Sequence, residues 1–106
     1  MRFRLERWPA RRPAARWELP ALYSVIIPAH DEELAIGACL EEMTRGLAPG
    51  ELDIVVVANA CSDRTAAIAR GFGSAVRVVE TARASKIHAL RLGDEQARHF
   101  PRFYVD

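Results

Sequence analysis

The stretch DIVVVANACSDRT, residues 53–65, contains the pattern that decides the fold. Residues 54–57 form a short, fully apolar run of the kind found in buried strands. Small and polar residues follow at 58–63, and an alanine-rich helical pattern then begins. A buried strand that leads through a polar loop into a helix is typical of a parallel sheet covered by helices.

The same unit recurs along the chain. We predict strands at 21–28, 52–57, 75–80 and 102–106, and helices at 31–47, 62–73 and 85–100. This alternation predicts an α/β fold: a Rossmann-like parallel sheet with helices on both faces and right-handed crossovers. The third strand alternates apolar and polar residues and is expected near an edge of the sheet.

Two of the helices have recognisable apolar faces. The stripe of the first helix is formed by Ile36, Leu40, Met43 and Leu47. The third helix is expected to bury Ile87, Leu90 and Ala97. We expect the second helix to be capped by Ser62 or Asp63 and to be ended by Gly71 or Gly73.

Composition limits the classes of protein to consider. The chain has 106 residues, of which 50% are hydrophobic and 27% charged, and these values suit one small globular domain or part of a larger one and argue against disorder. The net charge of +1 gives no general attraction to nucleic acid, and none is expected as a partner. Cys39 and Cys61 are expected to be reduced thiols in a cytoplasmic protein.

Residues 1–21 differ from the rest of the chain. This segment is rich in arginine and proline and contains Trp8 and Trp17, but it has no apolar run long enough for a signal peptide or a membrane span. We interpret it as a poorly ordered basic arm or as a start codon assigned too far upstream. The alternative is a basic and aromatic patch that contacts membrane or nucleic acid.

Ligands of such sheets bind outside the carboxyl ends of the strands. At that edge we place residues 28–33, 58–63 and 81–86 with Asp106. The carboxylates of PAHDEE, residues 28–33, disfavour phosphate and favour hydroxyl or base N–H groups, because carboxylate oxygens only accept hydrogen bonds. Phosphates would need the charge of Lys86, the single lysine, and a cation held by Asp106. Lys86 equally suits a solvated position early in a helix.

Four segments in this order resemble the N-terminal nucleotide-binding half of inverting family 2 glycosyltransferases with the GT-A fold: YSVIIPAHDEELAIGACLEEM, DIVVVANACSDRTAAIA, ASKIHALRLG and RFYVD. The resemblance covers residues 22–106. It implies a bacterial enzyme that takes sugar from a nucleotide-diphosphate donor, expected to be UDP-linked, and transfers it with inversion to an unknown saccharide or lipid acceptor.

The resemblance also implies a set of nucleotide-binding residues: Pro28, Ala29, Glu32, Asn59, Asp63, Lys86 and Asp106. Glu32 would accept hydrogen bonds from ribose or base, and Asn59 stands where the family usually has an Asp that contacts uracil. Asp63 is the later acidic residue of that motif, and Lys86 matches a basic residue near the diphosphate. Asp106 matches the first Asp of the DxD motif, which binds a divalent cation, Mg2+ or Mn2+.

The chain ends at Asp106, before the second metal-binding Asp and the general base of the family. We therefore expect a truncated sequence with an incomplete metal site and no catalytic residue of its own. The fourth strand is expected to have an unprotected flank. Any membrane association, at the inner face of the membrane, would require missing segments or the arm. The alternatives are a non-catalytic nucleotide-binding module or remnant gene product, and a nucleotidyltransferase, which PAHDEE disfavours because it lacks a glycine-rich loop with lysine.

Overall fold

A computed structural model describes residues 3–6, 23–47 and 51–105 of the protein. In chain order its elements are β1 (Phe3–Glu6), β2 (Tyr23–Ala29), α1 (Ile36–Thr44), β3 (Leu52–Asn59), α2 (Thr65–Arg70), β4 (Val76–Thr81), α3 (Lys86–Gln96) and β5 (Arg102–Val105). Among these described residues, no helix is both long and apolar enough to cross a bilayer.

The strands form one sheet in the order β1-β5-β2-β3-β4. The pairs β5–β2, β2–β3 and β3–β4 are parallel, so the predicted Rossmann-like parallel sheet is confirmed. The strand expected near an edge is β4, and it does lie at the edge. β1 pairs antiparallel with β5, Phe3 opposite Val105, so the flank of β5 that was expected to be unprotected is paired.

Residues 3–6 belong to the segment interpreted as a basic arm, and they form β1. The rest of that segment, including Trp8 and Trp17, lies outside the described residues.

Both faces of the sheet are covered. On one face, Ile36 and Leu40 of α1 and Ala69 of α2 pack against alternate residues of the central strands. On the other face, Ala89 of α3 packs against Val55 and Val57 of β3. The alternation of Ile54 to Val57 between the two faces explains why the run is apolar throughout.

The predicted start of the first helix at residue 31 is wrong, because α1 begins at Ile36. Asp31 has a left-handed backbone, with φ +47°, which a helix does not accommodate. The Glu32 carbonyl then accepts the N–H groups of Ala35 at 3.0 Å and Ile36 at 2.8 Å, and this turn leads into the helix. The second helix also begins later than residue 62, because α2 is Thr65–Arg70, and Gly71 forms its C-cap as expected. The Asp63 carboxylate accepts the Thr65 N–H at 2.9 Å, at the start of this helix.

The predicted buried face of the third helix is also wrong. Ile87 is 67% exposed, whereas Ala89 and Gly93 are buried. Ala97 lies just beyond the end of α3. The small residues Ala89 and Gly93, four positions apart, allow the α3 backbone to approach the sheet closely, which a face of large residues would prevent.

Asp53 forms hydrogen bonds that hold together the end of the sheet at which β2 and β3 begin. Its carboxylate accepts hydrogen bonds from Ser24 Oγ at 2.7 Å, Arg77 Nη2 at 2.7 Å and the backbone N–H of Arg98 at 2.9 Å. Burial raises the pKa of Asp53, but these three hydrogen bonds and the Arg77 charge outweigh it and hold the pKa below its ordinary value.

Candidate functional site

Two loops lie side by side at the carboxyl edge of the sheet. The first rim loop, residues 30–35, follows β2, and the second rim loop, residues 60–64, follows β3. Ala29 is level with Ala58 in the parallel register, so both loops start at the same height. Parallel pairing thus brings together two segments that are about 30 residues apart in the chain.

Carboxylates of the first rim loop accept N–H groups of the second. Asp31 Oδ1 accepts the backbone N–H of Ser62 at 2.8 Å, and Glu33 Oε2 accepts that of Arg64 at 3.1 Å. Ionised carboxylates are strong acceptors for backbone N–H groups at the start of a helix. Asp31 and Glu33 therefore bond to the segment that leads into α2, and not to the start of their own helix.

Side chains of the second rim loop and of α2 accept, in turn, backbone N–H groups of the first rim loop. Asp63 Oδ2 accepts the backbone N–H of Glu33 at 3.1 Å, and Asp63 Oδ1 accepts that of Thr65 at 2.9 Å. The Thr65 hydroxyl donates to Asp63 Oδ1 and accepts the backbone N–H of Glu32 at 2.9 Å. We call these bonds the inter-loop network; it comprises Asp31, Glu32, Glu33, Ser62, Asp63, Arg64 and Thr65.

The network shifts the acidity of Asp63. The hydrogen bond from the Thr65 hydroxyl lowers the pKa of Asp63, partial burial opposes this, and the backbone N–H groups of Thr65 and Glu33 lower the pKa further. The pKa of Asp63 thus lies below its ordinary value, and the side chain stays ionised at neutral pH.

Cys61 adds a sulfur contact to the same place. Its Sγ donates to the Ala29 carbonyl at 3.3 Å and receives the backbone N–H of Asp31 at 3.4 Å. Both cysteines are free thiols, as expected from the sequence. Near Cys61, His30 Nδ1 donates to the Asn59 carbonyl at 2.8 Å, which fixes the ring against the end of β3.

Asp31, Cys61 and Asp63 bring ligand atoms within 4.8 Å of one another, a spacing that suits a metal ion. Their hydrogen bonds do not suit one. Asp31 Oδ1 and both Asp63 oxygens already accept N–H groups, and the positive ends of those N–H dipoles point towards the group. We therefore interpret these three side chains as part of the contacts that hold the loops together, and no chemical step is assigned to a metal there.

A cavity of about 480 Å³ opens between the carboxyl ends of β3 and β4. Its lining residues are Ala58, Ala60, Cys61, Glu80, Thr81 and Ala82. The floor is made of small side chains, and the second rim loop forms one wall. Ala60 has φ +50° and donates its N–H to the Thr81 carbonyl at 2.7 Å, which holds that wall against β4.

The structure brings several of the predicted nucleotide-binding residues to this edge. Pro28 and Ala29 end β2, Asn59 ends β3, and Glu32 and Asp63 lie in the two rim loops. Ala29 is only 1% exposed as a whole residue and belongs to the core, so it offers almost no surface to a ligand. Asp106 lies outside the described residues.

Asn59 and Lys86 differ in exposure. Asn59 is 7% exposed, and within residues 23–47 and 51–105 its carboxamide has no hydrogen-bond partner. No polar side-chain atom of the described residues is both buried and unpaired, so the carboxamide reaches the surface. Lys86 is exposed at the first position of α3, directly after the Ser85 cap.

Sequence reasoning placed Cys61 at this end of the sheet, within residues 58–63, but did not predict its contacts, and it did not predict a role for Thr65. For Thr65 a signal is present, because Asp63 and Thr65 stand two residues apart at a helix start, a spacing typical of side chains that bond to backbone there. For Cys61 no such signal exists, since its partners are brought near only by the pairing of β2 with β3.

Comparison with known proteins agrees with this geometry. Residues 24–99, more than half of the chain, match the family Glycosyl transferase family 2. The chain belongs to glycosyl transferase family 2. No curated protein sequence matches it.

Two solved structures are similar to this family 2 chain. A mannosyltransferase from Pyrobaculum calidifontis, in complex with GDP-Man and Mn2+, is similar over 72% of the chain with 28% identity and a TM-score of 0.61. A glucosyl-3-phosphoglycerate synthase from Mycobacterium tuberculosis, in complex with UDP, is similar over 80% of the chain with 24% identity and a TM-score of 0.53. This second similarity shows the fold alone. The chain spans 24% of the first protein and 36% of the second. The resemblance and the fold class predicted from the sequence are thereby confirmed.

Proposed function

We propose that this chain binds the donor of a glycosyl transfer, a UDP-linked sugar that is passed with inversion to a saccharide or lipid acceptor. One observation carries the proposal: the inter-loop network holds two polar loops beside an open cavity at the carboxyl edge of a family 2 sheet. Ligands of parallel α/β sheets bind at this edge. The proposal takes residues 22–106, together with β1, as the donor-binding domain and the rest of residues 1–21 as a basic arm; the cytoplasmic location stays a prediction.

The nucleoside is assigned to Pro28, Glu32 and Asn59, with the buried Ala29 and Asp63 beside them. A carboxamide that has both an acceptor oxygen and a donor N–H complements the imide edge of uracil, which offers one N–H between two carbonyls. Asn59 has such a group, without a partner among the described residues. The Glu32 carboxylate is an acceptor for ribose hydroxyls.

The diphosphate is assigned to Lys86 and to a divalent cation held by Asp106. Lys86 is the single lysine of the chain and lies at the start of α3, at the same edge of the sheet. When bound, Mg2+ or Mn2+ neutralises charge on the departing diphosphate. The related mannosyltransferase was solved with Mn2+.

Isothermal titration calorimetry of the 106-residue chain with UDP, GDP and uridine in Mg2+ tests the proposal. We expect saturable binding of UDP, weaker binding of GDP, and still weaker binding of uridine, which lacks the diphosphate. Asn59→Ala removes both the donor and the acceptor of the carboxamide and should reduce the preference for UDP over GDP. If none of the three ligands binds, or if GDP binds more tightly than UDP, the assignment of a UDP-linked donor fails.

A transfer assay with UDP-sugars separates an enzyme from the alternative of a non-catalytic module. Binding of UDP with no sugar transferred to a panel of saccharide and lipid acceptors would favour the module. If transfer occurs, the anomeric configuration of the product, read by proton NMR, should be opposite to that of the donor. A product with retained configuration would contradict inversion.

A further inference from the structure

We infer that Thr65 and Asp63 are positioning residues that hold Glu32 in the geometry needed for donor binding. The inference rests on the proposed function, in which Glu32 contacts the nucleoside. Thr65 is not among the residues that the family resemblance implies. Asp63 is one of them, but here its role is to hold the two loops together and not to contact the nucleotide.

The backbone of Glu32 is held on both sides. Its N–H donates to the Thr65 hydroxyl at 2.9 Å. Its carbonyl accepts the N–H groups of Ala35 and Ile36, which begin α1. With both peptide groups engaged, the direction in which the Glu32 side chain leaves the loop is fixed by Thr65 on one side and α1 on the other.

The Thr65 hydroxyl has a defined polarity. An ionised carboxylate can only accept hydrogen bonds, so the bond between Thr65 Oγ1 and Asp63 Oδ1 must use the hydroxyl proton. The lone pairs of the same oxygen are then left for the N–H of Glu32. The carboxylate of Asp63 thus makes Thr65 an acceptor towards the first rim loop, while its second oxygen holds the next residue, Glu33.

Thr65 is suited to this role because it is fully buried, at 0% exposure, at the first position of α2. Water therefore does not compete for its hydroxyl, and the rotamer of a β-branched side chain is restricted by the helix. A chain of bonds runs from the α2 start through one hydroxyl to the amide of the residue proposed to contact ribose or base. Loss of the hydroxyl would leave the Glu32 N–H without this acceptor.

The experiment compares Thr65→Val, which keeps the branched shape but loses the hydroxyl, with Thr65→Ser, which keeps the hydroxyl. Thr44→Val is the matched control, because Thr44 Oγ1 donates to the Leu40 carbonyl at 2.8 Å at the end of α1, away from the rim. For each variant we would measure UDP affinity by calorimetry in Mg2+, hydrogen exchange of the Glu32 amide, and the melting temperature.

Thr65→Val is expected to bind UDP about tenfold more weakly, equivalent to the loss of about one hydrogen bond, and to exchange the Glu32 amide faster. Thr65→Ser should restore affinity to within about threefold, and Thr44→Val should bind UDP like the wild type even where its melting temperature falls. A merely structural role of Thr65 would instead make affinity follow melting temperature in all three variants.

The outcomes separate the two claims. If the wild type binds UDP, and Thr65→Val binds equally well with unchanged exchange at Glu32, the inference is overturned and the proposed function stands. If the wild type binds no nucleoside diphosphate at all, the proposed function fails and the inference that rests on it fails with it.

Discussion

Gly93 of α3 lies directly against Ile26 of β2. A Cβ atom added at residue 93 would come within 2.3 Å of Ile26 Cγ2, closer than real Cβ contacts allow. Ile26 is fully buried in the central strand pair, so it has little room to move. This contact sets how closely α3 approaches the sheet and therefore where Lys86, at the start of the helix, stands at the rim.

Gly93→Ala is expected to lower the free energy of unfolding by about 1–3 kcal/mol, because the added methyl group overpacks a closed contact. Gly37→Ala in α1 is the matched control, since its Cβ would meet Ile68 Cγ2 at 3.5 Å, an ordinary contact. Urea denaturation followed by circular dichroism measures both. Equal stabilities for Gly93→Ala and the wild type would contradict the packing of α3 described here.

Asp31 is expected to tolerate asparagine but not alanine. Its φ of +47° suits Asn, and an Asn oxygen can still accept the Ser62 N–H, whereas Ala is strained in this conformation and has no acceptor. We expect Asp31→Asn to stay within about 0.5 kcal/mol of the wild type and Asp31→Ala to lose about 1–3 kcal/mol.

Asp31→Asn also tests whether Asp31, Cys61 and Asp63 bind a metal ion. Thermal melts with and without Mn2+ should show the same metal-induced shift in Asp31→Asn as in the wild type, because the inter-loop network needs an acceptor at this position and not a charge. A shift that is present in the wild type and abolished by Asp31→Asn would mean that this group does bind the ion.

Asp53 gives the stability a defined pH dependence. Because its pKa in the folded protein lies below the ordinary aspartate value of about 3.9, its contribution is complete above that pH and is lost as the pH falls through the lower, folded-state pKa. We expect Asp53→Asn to be destabilised by about 1–2 kcal/mol at pH 7 and by less at pH 3.

Urea denaturation of both proteins at the two pH values measures this difference. Glu42→Gln is the control, because Glu42 forms an exposed pair with Arg45 and such pairs contribute little. A deficit of Asp53→Asn that is as large at pH 3 as at pH 7 would show that charge on Asp53 is not what stabilises this edge.

Lys86→Ala is expected to weaken UDP binding by about tenfold and uridine binding by less than about twofold, because only UDP carries the diphosphate charge. Arg91→Ala removes an equal charge from an exposed position of the same helix and should affect neither ligand strongly. Calorimetric titrations of the two variants give the comparison. Equal losses for UDP and uridine in Lys86→Ala would remove the phosphate role of the lysine.

The sheet could be predicted from sequence because its signals are local. The run from Ile54 to Val57 is apolar on both faces, and Ile36 and Leu40 repeat with helical spacing. The local sequence of each element therefore predicts which of its residues are buried. The buried face of α3 could not be predicted in this way. A count of apolar residues favours Ile87 and Leu90, whereas the observed face depends on how closely the smallest residue, Gly93, lets the helix approach Ile26.

The position of the two rim loops at the carboxyl ends of the strands was predicted, but the hydrogen bonds between the loops were not. Polar residues at strand ends indicate a ligand edge, but a sequence gives no indication that Asp31 will bond to Ser62 or Asp63 to Glu33, residues about 30 positions apart. The start of α1 was misplaced for the same reason. Carboxylates that precede a helix are expected to accept N–H groups of that helix. Here Asp31 and Glu33 precede α1 but accept N–H groups of the loop before α2.

The most direct test of the donor site is a titration of the ¹⁵N-labelled chain with UDP in Mg2+, followed by two-dimensional NMR. We predict saturable shifts of backbone amides clustered at Glu32, Asn59 and Lys86, with little change around Ser24 and Asp53 at the opposite edge. Shifts clustered around Ser24 and Asp53, or no saturable shifts at all, would contradict a nucleotide site at the carboxyl edge of the sheet.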